Sequence, residues 1–327
     1  MAATRPTATL EDVARLAGVS RSTASRAIAG GSISRAAYDR VAAAVRQLGY
    51  VPNQAARALA RRTGLRLVVA TSGPSPEILD DPYLDRVVTA VARVCAEHDV
   101  GVAAAWLPLR PGRQLTRLVE DPGLGGVILI NPTGWLVDVL ATLLPGRVAS
   151  IGVGNPAVPS FDVDNAAGTA ALVQHLYAAG RRRMAMVTGP GWLPCAARPV
   201  REYGRLMRAA GLPVRLVVGD FSADRGRVAA GEVLRRWPDT DAVLGASDAT
   251  ALGVIAGLRD CGVRVPDDVG VTGFDDVPFA ALAAPALTTA RHPVTEIATA
   301  AAHAVLGRLP GPPEVLFPSP MVLRASA

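Results

Sequence analysis

The chain has 327 residues, 50% of them apolar and 19% charged, which suits a folded globular protein with a small head and a larger body. Its net charge of +6 is concentrated: residues 1–64 hold ten Arg against Glu11, Asp12 and Asp39, while the remainder holds 24 basic and 25 acidic residues of whole-chain totals 34 and 28. A membrane span is excluded because the most apolar stretch, Leu124 to Leu144, is interrupted by Asn131-Pro132-Thr133-Gly134 and Asp138; Met1 to Pro6 lacks an apolar export region, so the expectation is a cytoplasmic protein.

Thr9-Leu10-Glu11-Asp12 predicts a capped helix start, with a hydroxyl at the N-cap and a carboxylate three residues on. Leu10, Val13, Ala14 and Ala17 follow at helical spacing until Gly18 breaks the run. Ser20 then caps a second helix whose narrow stripe of Ala24, Ala27 and Ile28 leaves Arg21, Ser22, Ser25 and Arg26 mostly off the apolar side. Two short helices around a Gly-containing turn form a helix-turn-helix, which presents the start of its second helix to the major groove. Arg21, Ser22 and Arg26 are the expected base readers. A third helix with Val41, Ala44, Val45 and Leu48 inward closes a small core. This pattern alone also fits solvated Ala-rich helices. The concentration of Arg in the head favours a phosphate-contacting domain.

Asn53 to Arg62 can form a short helix capped by Asn53, too short to hold without support. Its small Ala faces allow two copies to approach, and Leu59 is a side chain of the kind that wedges between base steps. An ordinary linker helix fits the composition as well.

In the body, apolar runs at 65–71, 100–106, 126–130, 148–153, 184–189, 214–219, 242–246 and 269–274 alternate with amphipathic helical segments such as 84–97, 166–179, 229–237 and 250–261. That cadence predicts an α/β fold with parallel sheet and right-handed crossovers. A closed eight-unit barrel and two open doubly wound lobes both satisfy it. Cys95, Cys195 and Cys261 are odd in number and far apart, which argues for reduced thiols and against zinc or a disulfide framework. His98, His175, His292 and His303 have no nucleophile motif beside them, and neither a Walker loop nor G-x-G-x-x-G is present. The chain is therefore expected to be neither an enzyme nor dependent on a cofactor or metal.

Leu10-Glu11-Asp12-Val13-Ala14-Arg15-Leu16-Ala17-Gly18-Val19-Ser20, then Thr23-Ala24-Ser25-Arg26, Leu48-Gly49-Tyr50-Val51-Pro52-Asn53 and Ala56-Arg57-Ala58-Leu59-Ala60 together resemble the signature of the LacI/GalR family of bacterial transcriptional repressors. The resemblance continues through Val163-Asp164-Asn165, Ser247-Asp248, Gly273-Phe274-Asp275-Asp276 and Pro285-Ala286-Leu287-Thr288-Thr289. It implies a helix-turn-helix head over 1–52, a hinge helix and linker over 53–64, and a two-lobed body similar to periplasmic sugar-binding proteins over 65–327. One lobe is expected at 65–160 plus 292–316 and the other at 161–291 plus 317–327. Thr9, Ser20, Arg21, Ser22, Ser25, Arg26 and Tyr38 fall on the implied DNA face, with Asn53, Ala56, Leu59 and Ala60 in the hinge. Ala29 stands where the family usually has Asn, the loop Gly30 to Ile33 is one residue short, and Tyr38 replaces a phosphate-contacting Arg.

In the implied effector cleft, Arg201, three residues before Gly204, takes the place of the effector-binding arginine. Asp275 takes that of a carboxylate accepting from ligand hydroxyls, Phe221 that of an aromatic shelf, and Ser247 that of an Asn; Ser72, Tyr83 and Trp192 are further candidates. The expected protein is a homodimer on a pseudo-palindromic operator, controlled by a small-molecule effector of carbohydrate type. A transcriptional activator of the same family and a solute-binding protein are the alternatives.

Overall fold

The sequence alternates helix signals with apolar runs, and the computed structural model, which describes residues 9–28, 33–48, 65–307 and 314–327, resolves them into two units that divide after Leu65.

In the first unit, α1 (Leu10–Ala17) starts on a reciprocal cap. The Asp12 amide donates to Thr9 Oγ1 at 3.3 Å, and the Thr9 amide donates to Asp12 Oδ2 at 3.0 Å. Gly18 ends the helix at φ 61°, a left-handed conformation that costs a glycine nothing. Ser20 Oγ accepts from the Thr23 amide at 3.1 Å and opens α2 (Arg21–Ile28). Helix α3 (Arg35–Leu48) packs Val41 and Ala44 against Val13, Ala14, Ala17, Ala24 and Ala27. The Arg40 guanidinium ties α3 to the end of α1 by donating to the Ala17 carbonyl at 3.2 Å.

The second unit contains two six-stranded sheets rather than a closed barrel. The first is ordered β11-β5-β4-β3-β1-β2, all parallel, from β1 (Arg66–Gly73), β2 (Gly101–Pro108), β3 (Leu124–Ile130), β4 (Val148–Ile151), β5 (Ser160–Val163) and β11 (Glu314–Phe317). The second is ordered β12-β10-β9-β8-β6-β7, from β6 (Met184–Val187), β7 (Leu216–Val217), β8 (Ala242–Gly245), β9 (Gly270–Asp275), β10 (Thr288–Arg291) and β12 (Met321–Val322), with β12 antiparallel to β10. Helices cover the strands on both faces, so β4, β6 and β8 are buried along their whole length, and β3 nearly so, instead of alternating.

Around the first sheet lie α4 (Pro82–Ala96), α5 (Arg113–Val119), α6 (Gly134–Leu143) and α12 (Val294–Val305). Around the second lie α7 (Asn165–Ala178), α8 (Ala197–Ala209), α9 (Ala223–Arg236) and α10 (Asp248–Asp260), with the one-turn α11 (Pro278–Leu282) after β9. Helices α9 and α10 touch backbone to backbone, because a Cβ at Gly253 would collide with the Ala223 carbonyl and one at Gly226 with the Thr250 carbonyl.

The chain passes between the sheets three times: after β5, after β10 and after β11. The passages are hydrogen-bonded to one another or to their neighbours, the Asp164 amide donating to the Phe317 carbonyl at 2.8 Å and the Arg291 amide to the Pro320 carbonyl at 2.8 Å. The apolar run read at 214–219 narrows to the two-residue β7, because Val218 is exposed and Asp220 already belongs to a capping turn.

Candidate functional site

Two surfaces can carry function. On the first, positions 21, 22, 25 and 26 recur on one side of α2, opposite the buried Ala24 and Ala27, and all four side chains are exposed. Arg26 Nε donates to the Ser22 carbonyl at 3.4 Å, and Arg21 lies 3.8 Å from Glu11 with 73% of its side chain exposed, so neither guanidinium is tied down. Thr9, Ser20 and the α3 residue Tyr38 are exposed as well, Tyr38 by 48%. Thr9 and Ser20 spend their hydroxyls on capping, which leaves them positioning roles in this unit. Asn53, Ala56, Leu59 and Ala60 lie outside the described residues, as do Ala29 and the loop from Gly30 to Ser32.

The second surface is a cavity of about 650 Å³ between the two sheets. It collects residues from the carboxyl ends of strands in both, which is where open α/β sheets bind ligands. Thr71, Asp81, Tyr83, Asn131 and Asp162 come from the first lobe or its passages; Trp192, Phe221, Ser247 and Phe274 come from the second.

At one end, Tyr83 of α4 stacks on His292, ring centroids 4.9 Å apart, and Phe274 meets the same imidazole edge-on at 6.2 Å. His292 Nδ1 lies 3.3 Å from Asp275 Oδ1, while its Nε2 is buried without a partner. Arg86 holds this corner together by donating to the backbone carbonyls of Asp275 and His292 at 3.5 and 3.4 Å. Burial pushes the imidazole down to about 4, with Asp162 opposing and Arg86 adding to the effect, so His292 is neutral near pH 7. Burial, reinforced by Asp81, pushes the Asp275 carboxyl well above its usual range. The Tyr83 phenol is raised as well, first by burial and then by Asp162 and Asp275.

Of the residues expected in the cleft, Tyr83, Trp192, Phe221, Ser247 and Asp275 line the cavity. Phe221 adopts φ 74° to present its ring, and the ring occupies the space a Cβ on Gly189 would need. Asp275 likewise sits at φ 118°. Ser247 contributes less chemistry than expected: its hydroxyl donates to the Phe221 carbonyl at 2.9 Å and accepts from the Thr250 amide at 3.0 Å, capping α10 and fixing the aromatic loop.

Two of the expected residues lie outside the cavity. Ser72 is buried in β1 but does not line the cavity; its neighbour Thr71 does, because successive strand residues face opposite ways. Arg201 is exposed on α8, whose inward side carries Tyr203, Gly204 and Met207, and it lies outside the cavity. One turn earlier, the Arg198 guanidinium binds the Asp162 carboxylate and so joins α8 to β5. Asp162 is nevertheless raised, burial outweighing the pairing.

Sequence reasoning passed over His292, Asn165 and Asp162. Asn165 lines the cavity and is 8% exposed; it donates its amide to the Cys195 carbonyl at 3.2 Å and leaves Oδ1 buried without a partner. The signal was available in Val163-Asp164-Asn165, but a lone Asn at a helix start reads as a cap. Cys195 also lines the cavity, its thiol pushed up to about 12 by burial, so it is no thiolate nucleophile. Among the described residues no group of His, Cys, Asp or Glu has the arrangement of a metal site.

The chain matches two protein families: "Bacterial regulatory proteins, lacI family" over residues 9–53 and "Periplasmic binding protein-like domain" over residues 173–327. It is 32% identical over 315 residues to the HTH-type transcriptional regulator CelR of Thermobifida fusca, covering 93% of this chain and 92% of that one. A CelR structure, described as a cellobiose complex, superposes with TM-score 0.71 at 31% identity, over 99% of this chain and 100% of that one. The lac repressor dimer bound to operator and the anti-inducer ONPF superposes with TM-score 0.75 at 26% identity, over 98% and 99%.

Proposed function

This chain belongs to the lacI family of bacterial regulatory proteins, and from that membership we propose that it is a homodimeric transcriptional repressor whose operator affinity is set by a small polyhydroxylated effector held between its two lobes. At the coarser level it is a DNA-binding transcriptional regulator.

The observation that carries the effector reading is the cavity itself. It draws Tyr83 and Asp162 from one lobe and Phe221 and Asp275 from the other, and two of its wall residues, Asp162 and His292, sit at passages between sheets. A ligand there touches both lobes at once and therefore has different affinities for different lobe arrangements, which is the requirement for control. Aromatic shelves and carboxylates suit a sugar, whose hydroxyls donate and whose ring faces stack. The cellobiose in the CelR structure supports the same class, and a cavity of about 650 Å³ has room for a disaccharide.

On DNA, two heads of one dimer are expected to read half-sites of a pseudo-palindrome with Arg21, Ser22, Ser25 and Arg26 at the base edges. Asn53, Ala56, Leu59 and Ala60 are proposed to reach the minor groove. Coupling is reciprocal: an inducer that weakens operator binding is itself bound more weakly by the operator complex.

Selection of bound fragments from random duplex DNA tests the reading. The expected product is a two-fold related pair of half-sites. Salt-dependent binding with no sequence preference would leave only a generic basic surface. A matching role as activator would show as an operator upstream of, and not overlapping, the promoter it controls.

A further inference from the structure

The charged groups that line the cavity are almost all acids. Among the described residues that line it, five are acids, Glu77, Asp81, Asp162, Asp220 and Asp275, against one arginine, Arg86. Arg86 is already engaged by two backbone carbonyls. Arg198, the nearby guanidinium, is bound to Asp162. Among the described lining residues, no cation is left over for a ligand.

The unpartnered groups point the same way. Asn165, itself more than nine-tenths buried, uses its amide on the Cys195 carbonyl and keeps Oδ1 buried without a partner. His292 is neutral and lies with Nδ1 beside the Asp275 carboxylate; a proton on Nδ1 leaves the buried, unpartnered Nε2 as a lone pair. Asp81 and Asp275, on opposite lobes, repel one another across the site. An anion entering this space meets carboxylates, and only neutral donors such as the Asn131 amide and the Trp192 indole are there to replace its water. Hydroxyl or ammonium protons meet ready acceptors and make charge-assisted bonds. The aromatic walls stack on uncharged rings and also attract cations.

Building on the effector-binding reading, we propose that the cleft selects its ligand by charge and hydrogen-bond polarity. It takes a donor-rich molecule, uncharged or bearing an amine, and rejects phosphorylated and carboxylated counterparts.

The test is calorimetric and thermal-shift titration of the full chain at pH 7.5 with three matched sets. The first is glucose, glucosamine, glucose 6-phosphate and glucuronate; the second is cellobiose, the disaccharide of two glucosamines, and cellobiouronic acid; the third is adenosine and its 5′-monophosphate. Within any set that binds, the anionic member is expected to be at least tenfold weaker than its neutral parent, and the amine no weaker. An anion that binds as well as its parent overturns the proposal. If that anion also changes operator binding, the regulator reading survives and only charge selection falls. Should no set bind, Asp81→Asn decides, since Asn keeps the cap on the Tyr83 amide and removes one of two opposed charges. A midpoint raised at pH 8 supports an uncompensated acidic cleft; a lowered one means the carboxylate is already paired and overturns the proposal.

Discussion

Tyr83 on α4 and His292 just past β10 stack with centroids 4.9 Å apart and planes tilted by 42°, so a side chain from the first lobe rests on the segment by which the chain leaves the second sheet. The contact lies in the cavity wall, where ligand and lobe arrangement are both felt. Removing the ring by Tyr83→Ala should weaken ligand by about 3- to 10-fold, from an aromatic pair worth about 0.5–1.5 kcal/mol. Operator binding without ligand should stay within about twofold, and Tyr83→Phe should retain both. Titration calorimetry with fluorescence anisotropy on operator DNA measures the two; equal loss in Phe and Ala would assign the effect to the phenol.

The two arginines of α8 make a contrast. Arg198→Ala leaves the Asp162 carboxylate, 5% exposed, without its cation. Breaking a buried pair from one side costs about 3–5 kcal/mol, so a large fall in the thermal midpoint is expected. Arg201→Ala removes an exposed side chain outside the cavity and should change neither midpoint nor ligand affinity appreciably. A loss of ligand response in the second variant would restore Arg201 to the site.

Asp248 is fully buried on α10, accepting from Thr289 Oγ1 at 2.5 Å and from the Val277 amide at 2.8 Å. Burial, then repulsion from Asp275, raises its pKa from 3.8 to about 7. The folded state therefore binds more protons than the unfolded one, and this stabilisation, complete below the unfolded value, disappears as pH rises from about 4 through about 7. His292, pushed down to about 4, acts in the opposite sense below its unfolded value of 6.5. The difference between wild type and Asp248→Asn isolates the first effect: the variant's midpoint should gain on the wild type as pH rises from 5 to 8, as followed by thermal denaturation. A difference that does not vary with pH would contradict it.

At the head, Arg26→Ala should cost about 1–3 kcal/mol of discrimination at one base position per half-site while leaving the fold intact, since Arg26 is exposed and only lightly held. A competition assay over single-base operator variants reads this directly. Uniform weakening across all variants would make Arg26 a phosphate contact.

The cap at Thr9 and Asp12, the stripe through Val13 and Ala17 and the buried parallel strands were legible in the sequence because each obeys a local rule of spacing or alternation. Periodicity left barrel and two-lobe arrangements equal, since both repeat strand and helix; family resemblance separated them, and the strand order bears out the two lobes. Within the cleft, the family resemblance led to Phe221 and Asp275, which line the cavity, but not to Asp162. Arg201 lies outside the cavity because a motif fixes a position along the helix but not which way its side chain is free to turn. Arg198 is held inward by Asp162, a partner 36 residues away that no local pattern announces. His292 and Asn165 were missed for the same reason: each becomes significant only through burial and an unpartnered atom, both products of the fold.

Occupancy of the cleft is proposed to control DNA binding. The most direct measurement is operator affinity by fluorescence anisotropy, with and without saturating ligand from the matched sets, in wild type and in Asp275→Asn. The expected result is a ligand-dependent change of at least fivefold in the wild type, typical of a coupling free energy of about 1–3 kcal/mol, and its loss in the variant with unliganded affinity preserved. A ligand that binds the cleft while operator affinity stays the same would contradict the account.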